Sequence, residues 1–402
     1  MSTSSTSHAP GQDISSRMIF LLAAAAGLIV ANLYYAQPLV GPISAALGIS
    51  PGAAGLIVTL TQIGYGLGLL FLAPIGDLVE NRRLILILLG VTTVALLCAT
   101  FAQSAPQFFL ASLAIGISSV AAQVVVPYAA HLSSPETRGQ SVGKVMSGLL
   151  LGILLARPLA SIVADMFGWH AIFGLSVLAM ALLALVLMRF LPRRVPVGGL
   201  HYFDLLRSMW TLLKTTPVLR RRGAYHALLF ATFSLFWTTV PLWLASPVYQ
   251  MSQRGIGLFA LAGVIGVFAA PMAGKLADRG HSRLATGIAM SAVAVGFLLM
   301  HVAQNGTPLG VALLLAAALL VDFGVSANLV IGQRAIYALG AEVRSRLNGL
   351  YMAMFFGGGA VGSALGGWIY AQAGWTGTAW LGFAFPCIGL LYFATEFRKR
   401  AD

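Results

Sequence analysis

Apolar residues in this chain do not alternate, nor do they form one stripe of an amphipathic helix. They run on in stretches of about twenty, with polar residues confined to the gaps. A helix rising about 1.5 Å per residue needs roughly 20 apolar residues to cross a hydrocarbon core about 30 Å thick. Twelve stretches qualify: Met18 to Val40, Ala53 to Ile75, Leu84 to Gln103, Gln107 to Ala130, Val142 to Ala164, Ala171 to Leu191, Ala224 to Ala245, Ile256 to Leu276, Leu284 to Val302, Leu309 to Ala338, Leu347 to Ala371 and Thr376 to Glu396. The pattern therefore predicts an all-α membrane protein of 12 transmembrane helices in two six-helix bundles, over 17–191 and 223–402. Residues 1–16 read as a disordered polar tail, and 192–222 as a basic linker whose middle, Tyr202 to Leu213, forms a short amphipathic helix on the membrane surface.

Composition agrees, since 58% of residues are hydrophobic and only 9% are charged, against about 25% charged in a soluble domain. The net charge of +13 suggests a nucleic-acid binder until its distribution is read. Arg82, Arg83, Arg138, Lys144, the linker arginines, Arg279, Arg283, Arg344, Arg346 and Arg398 to Arg400 all fall in alternate loops, and the opposite loops hold only Arg254. Cytoplasmic loops collect Lys and Arg, so twelve spans place both termini in the cytoplasm of a cell inner membrane, with anionic lipid at the basic face and no nucleic acid. Cys98 and Cys387 lie apart inside apolar runs, and the seven histidines are scattered. No metal site, cofactor site or catalytic triad is predicted, and no enzyme.

The halves repeat. Glu136, Arg138, Gly143, Met146, Gly152, Leu159, Gly168 and Trp169 recur without gaps as Glu342, Arg344, Gly349, Met352, Gly358, Leu365, Gly374 and Trp375, a spacing of 206 (342 minus 136). After span eight the chain reads Gly274-Lys275-Leu276-Ala277-Asp278-Arg279-Gly280-His281-Ser282-Arg283, and after span two Ala73-Pro74-Ile75-Gly76-Asp77-Leu78-Val79-Glu80-Asn81-Arg82. With twelve spans, a basic linker and a six-span repeat, these loops closely resemble those of the major facilitator superfamily. The first copy departs from the pattern at Leu78, Glu80 and Asn81. The resemblance implies a secondary transporter working by alternating access, most like the superfamily's proton-coupled exporters of small organic compounds, and expected to be a monomer. It also implies that Asp77, Arg82, Asp278, Arg279 and Arg283 act as a conformational gate and do not touch substrate. Span five matches the exporters' glycine-rich signature only in part, because Arg157 and Ser161 stand where glycines would be.

Ionisable groups inside the bilayer are costly and mark functional sites. Of eleven acids only Asp322 lies centrally in its span, roughly 21 Å from either end. It is the candidate proton carrier, and Ser326 shares its helical face. Arg157 is the one base deep in a span. Its side chain leans toward the middle of the membrane, to pair with Asp322 or to hold an anionic substrate. Asn32, Tyr35 and Gln37 in span one, Gln62 in span two, Gln123 in span four, Trp237 and Thr239 in span seven, and Ser326 in span ten are further substrate-binding candidates. The resemblance implies that spans one, four, seven and ten line a central cavity. Two alternatives stand beside export: a facilitator or importer of an organic anion using Arg157, and a non-transporting receptor.

Overall fold

The computed structural model describes residues 14–134, 136–195, 201–262, 280–340 and 342–398, and among them all regular structure is helical. Among the described residues nine helices are long and apolar enough to cross a membrane. They are span two (Pro51–Asp77), three (Asn81–Thr100), four (Ala105–Leu132), five (Arg138–Phe167), six (His170–Phe190), seven (Pro217–Ala245), nine (Ser282–Val302), ten (Pro308–Tyr337) and a final helix, Arg344–Phe397. The last of these is two spans, eleven and twelve, which turn at Gly374 with φ 60° and ψ −154°. Span eight is described only over Gln253–Ala262.

Span one differs from its expected form. It is not one helix over Met18 to Val40 but a helix Ser16–Ala31, a 3-10 turn Gln37–Leu39 and a second helix Val40–Leu47. Between them the backbone closes i to i−3 bonds, such as Leu33 to Val30 at 3.1 Å and Tyr34 to Ala31 at 3.0 Å. Two residues explain the break. The Asn32 side-chain amide bonds back to the Leu28 and Ile29 carbonyls at 3.1 and 3.0 Å, competing with the backbone donors, and Pro38 brings no N–H of its own. Irregular backbone at membrane depth is tolerated only where protein surrounds it, and Leu33, Tyr34, Tyr35 and Ala36 are all buried. Span two is also irregular, passing into a π segment, Gly68–Leu72, and a 3-10 segment, Ala73–Asp77.

The repeat has a structural counterpart. Gly168 and Gly374, which end spans five and eleven, both take positive φ, 82° and 60°, a region that favours glycine. Arg138 and Arg344 open those spans, and each donates to a carbonyl ending the preceding span, that of Ala130 at 3.0 Å and of Tyr337 at 3.4 Å. The glycines are packing residues. A Cβ on Gly148 or Gly152 would strike the backbone of Ala23 or Gly27 in span one, and one on Gly358 or Gly362 would strike Ala227 or Ala231 in span seven. Bare backbone lets these helix pairs approach closely, as membrane helices do without a hydrophobic drive to associate.

The halves meet along spans two and eleven, where Gly55 lies against Ser363 and Gly367. Thr59 and Ser363 share a hydrogen bond of 2.8 Å, and Tyr65 sits edge-on to Phe356 at 4.5 Å. Spans five and eight meet away from the basic end, with Gly257 on Pro158 and Ser161 and the Arg254 N–H donating to Asp165 at 3.1 Å. The linker helix forms over Tyr202–Thr215. It buries Leu205 and Met209 and leaves Phe203 and Trp210 exposed. Span seven begins immediately afterwards at Pro217, so Arg220, Arg221 and Arg222 occupy its first turns. The residues of the tail from 1 to 13 lie outside the described residues.

Candidate functional site

Arg157 is buried in span five, and its Nε donates to Gln37 Oε1 at 2.7 Å, in the 3-10 turn where span one is broken. Three aromatic rings surround its guanidinium: Tyr34 at 5.2 Å, Phe233 at 4.9 Å and Trp237 at 4.5 Å, all within cation–π range. Trp237 in turn donates its indole N–H to Asp322 Oδ1 at 3.1 Å. Arg157 and Asp322 make no ion pair with each other; a tryptophan stands between them. Trp237 sits where span seven is weakened, because Pro241 has no N–H to offer the Trp237 carbonyl one turn back.

The layer also holds polar atoms with no partner. Arg157 Nη2, Gln37 Nε2 and Ser161 Oγ are buried and unbonded, although buried polar atoms are nearly always paired. Ser161 lies one turn beyond Arg157 on the same helix. Four expected site residues, Arg157, Gln37, Trp237 and Asp322, are therefore brought together from spans five, one, seven and ten.

Gln62 and Gln123 are bonded to other partners. Gln62 donates to Ser234 at 2.6 Å across the halves, and Gln123 donates to the Tyr65 hydroxyl at 3.0 Å. Ser326 is half-buried beside Asp322 on span ten. Asn32 is turned elsewhere, because its carbonyl accepts from Ser176 at 2.5 Å in span six while its amide bonds its own helix. Thr239 is spent on the Leu235 carbonyl at 2.8 Å, and Tyr35 is buried with its hydroxyl hydrogen-bonded to Ser176. Phe233 was not legible as a site residue from its sequence position. The signal was its spacing of four from Trp237, which puts two rings on one face of span seven.

At the basic end the first-half loop is tied through Asn81. Asn81 donates to the Gly76 carbonyl at 2.5 Å and accepts from Arg194 at 2.6 Å, and its N–H donates to the Arg194 carbonyl at 3.0 Å. Arg82 donates to the Met188 carbonyl in the last turn of span six, where a cation meets the negative end of the helix. Asp77 is exposed. Arg283 lies 3.6 Å from Glu396, which also pairs with Arg221 at 3.0 Å, so it ties span nine to the end of span twelve. Asp278 and Arg279 lie outside the described residues.

A broken helix and a buried cation and carboxylate, gathered from both halves of a helical bundle, define a membrane carrier with a central polar site. Residues 19–316 match the family model of the Major Facilitator Superfamily, and the chain belongs to that family. It is 37% identical to the uncharacterized transporter YgaY of Escherichia coli over 97% of this chain and 98% of that protein. It is 32% identical to the probable transporter SCO4007 of Streptomyces coelicolor over 92% and 85%. The fold resembles that of the nucleoside transporter NupG, with TM-score 0.75 and 15% identity over 94% of this chain and 100% of that one. It also resembles a POT family transporter solved with 5-aminolevulinic acid, with TM-score 0.76 and 14% identity over 94% and 96%. The chain is a multi-pass membrane transporter of this superfamily and not an enzyme.

Proposed function

We propose that the chain is a proton-coupled secondary transporter of small organic compounds, with Asp322 as the proton carrier and the layer around Arg157 as the substrate site. One observation carries this reading: Arg157 and Asp322 face opposite features of a single indole, the ring and the N–H, without touching. Two opposite charges so placed in a medium of low dielectric still sense each other. They also come from different halves, span five and span ten. Their separation therefore changes when the halves rock, which lets the protonation of Asp322 follow the conformational cycle. The sign of the coupling sets direction. A substrate that competes with the proton is exported, and one that binds together with it is taken up.

In the same reading the basic end and both termini are cytoplasmic. The linker helix turns Phe203, Arg207, Trp210 and Lys214 outward along one stripe, a combination suited to anionic lipid headgroups. Asn81 and Arg194, with Asp77, Arg82, Asp278, Arg279 and Arg283, make up the conformational gate.

The test uses proteoliposomes of the full chain loaded with a pH-sensitive dye, to which small acids, amines and neutral metabolites are added in turn. A proton-coupled transporter moves protons across the bilayer with its substrate and only then. A facilitator moves labelled substrate without protons, and a receptor moves neither; either outcome overturns the proposal.

A further inference from the structure

The atoms left unbonded around Arg157 are informative about what binds there. Gln37 turns its carbonyl oxygen to Arg157 Nε, which leaves Gln37 Nε2 as a buried donor beside a second buried donor, Arg157 Nη2, with the Ser161 hydroxyl one turn away. The rings of Tyr34, Phe233 and Trp237 lie 4.5 to 5.2 Å from the guanidinium carbon. A guanidinium flanked by aromatic rings still offers an acceptor its N–H bonds, and a carboxylate fits that fork with its two oxygens. We infer that the substrate is an organic carboxylate seated on Arg157 and Gln37, and that its binding and the protonation of Asp322 promote each other.

This deepens the reading of the layer as the substrate site and rests on it. A carboxylate suits the site better than a phosphate ester, because one guanidinium among aromatic rings offsets one negative charge and not two. The rings suit a flat or apolar body attached to that carboxylate. An amine seated there would face the unmet donors of Arg157 and Gln37 in place of acceptors.

The coupling follows from charge. Among the described residues Arg157 is the charged group bearing on Asp322, and Tyr34 is the titratable group beside Arg157. Span seven offers Asp322 the neutral Trp237, span eight places Phe259 behind that indole, and span nine packs Val293 on Gly324. An anion seated on Arg157 cancels the positive charge that favours an ionised Asp322 and adds a negative one. Proton binding at Asp322 is thereby favoured, and by linkage a protonated Asp322 favours the anion. Such a carrier moves the carboxylate and the proton together, and an inward proton gradient drives uptake.

The full chain in detergent, near neutral pH, is titrated with benzoate, benzamide and benzylamine, which share a ring and differ in charge. Calorimetry in two buffers of different ionisation heat counts protons. Expected are saturable benzoate binding at least about tenfold tighter than that of the other two, and net proton uptake on binding. Arg157→Gln should weaken benzoate about tenfold or more, and Arg157→Lys and Gln37→Leu less so, each read on protein that elutes as a folded monodisperse species. Arg83→Gln, at an exposed position in the first turn of span three, should change nothing. Preference for benzylamine, unchanged benzoate affinity in all three site variants, or no saturable binding of benzoate or acetate would each overturn the carboxylate seat. Asp322→Asn should bind benzoate without proton uptake. If it still takes up protons while Arg157→Gln has lost binding, the seat stands and Asp322 falls as the carrier. If proton-coupled flux of other compounds persists with no carboxylate bound, the carrier stands and the seat falls.

Discussion

Trp237 donates its indole N–H to Asp322 at 3.1 Å while the same ring carries the Arg157 guanidinium 4.5 Å away. One side chain thus touches both central charges, and it stands at the turn that Pro241 deprives of a backbone hydrogen bond. A bend in span seven would move the link between the charges without breaking either helix that bears them.

Trp237→Phe separates the two contacts, since phenylalanine keeps an aromatic face for Arg157 and removes the donor to Asp322. A hydrogen bond to a charged group contributes about 1.5–3 kcal/mol, so accumulation against a gradient should fall about tenfold or more. Downhill equilibration should change little. Equal losses in both assays would show that the ring, and not its N–H, matters.

Glycine packing gives a prediction about stability. A Cβ at Gly152 meets the Gly27 backbone and one at Gly358 meets the Ala227 backbone, whereas one at Gly143, on the same helix as Gly152, meets nothing. Gly152→Ala and Gly358→Ala should each destabilise by about 1–3 kcal/mol through overpacking. Gly143→Ala should be neutral, or stabilising by up to about 1 kcal/mol through helix propensity. Thermal unfolding in detergent decides, and a Gly152→Ala protein as stable as the parent would contradict the close approach.

How much of this was legible follows from the physics of each residue. Arg157 and Asp322 stood out because charge inside an apolar run is costly, and the repeated Arg138 and Arg344 stood out because charged matches are rare there. Phe233 and Tyr34 did not, since an aromatic ring in a membrane span carries no mark that separates packing from a cation–π wall. The break in span one was signalled only by Pro38, and its other cause, the Asn32 amide bonding back to Leu28 and Ile29, is a side-chain choice that periodicity cannot show. Asn81 and Arg194 are 113 residues apart, so their pairing needed the tertiary fold.

Asp322→Asn keeps the shape of the side chain and an acceptor for Trp237 but removes the titrating group. Exchange of labelled for unlabelled substrate needs no change of protonation and should persist, while pH-driven accumulation should vanish. Among the eleven acids of the chain no other sits centrally in a span. Full accumulation by this variant would therefore remove Asp322 as the carrier.

Asn81 offers the sharpest test of the gate, because it fixes the loop through three bonds: to the Gly76 carbonyl, from the Arg194 guanidinium, and from its own N–H to the Arg194 carbonyl. These tie spans two and three to the chain that leaves span six, all within the first half. Asn81→Ala removes the two side-chain bonds and leaves the Arg194 guanidinium and the Gly76 carbonyl without that partner. The loop lies far from Arg157, which is about 28 Å along span five from its start at Arg138. Substrate affinity should thus stay within about twofold while turnover changes about tenfold, since a gate acts on the interconversion of states and not on the site. Asn81→Asp keeps the acceptor for Arg194 but not the donor to Gly76, and should recover part of the loss. Binding and flux are measured side by side on the same preparations. A large change in affinity at constant turnover would place this cluster in the substrate site and not in the gate.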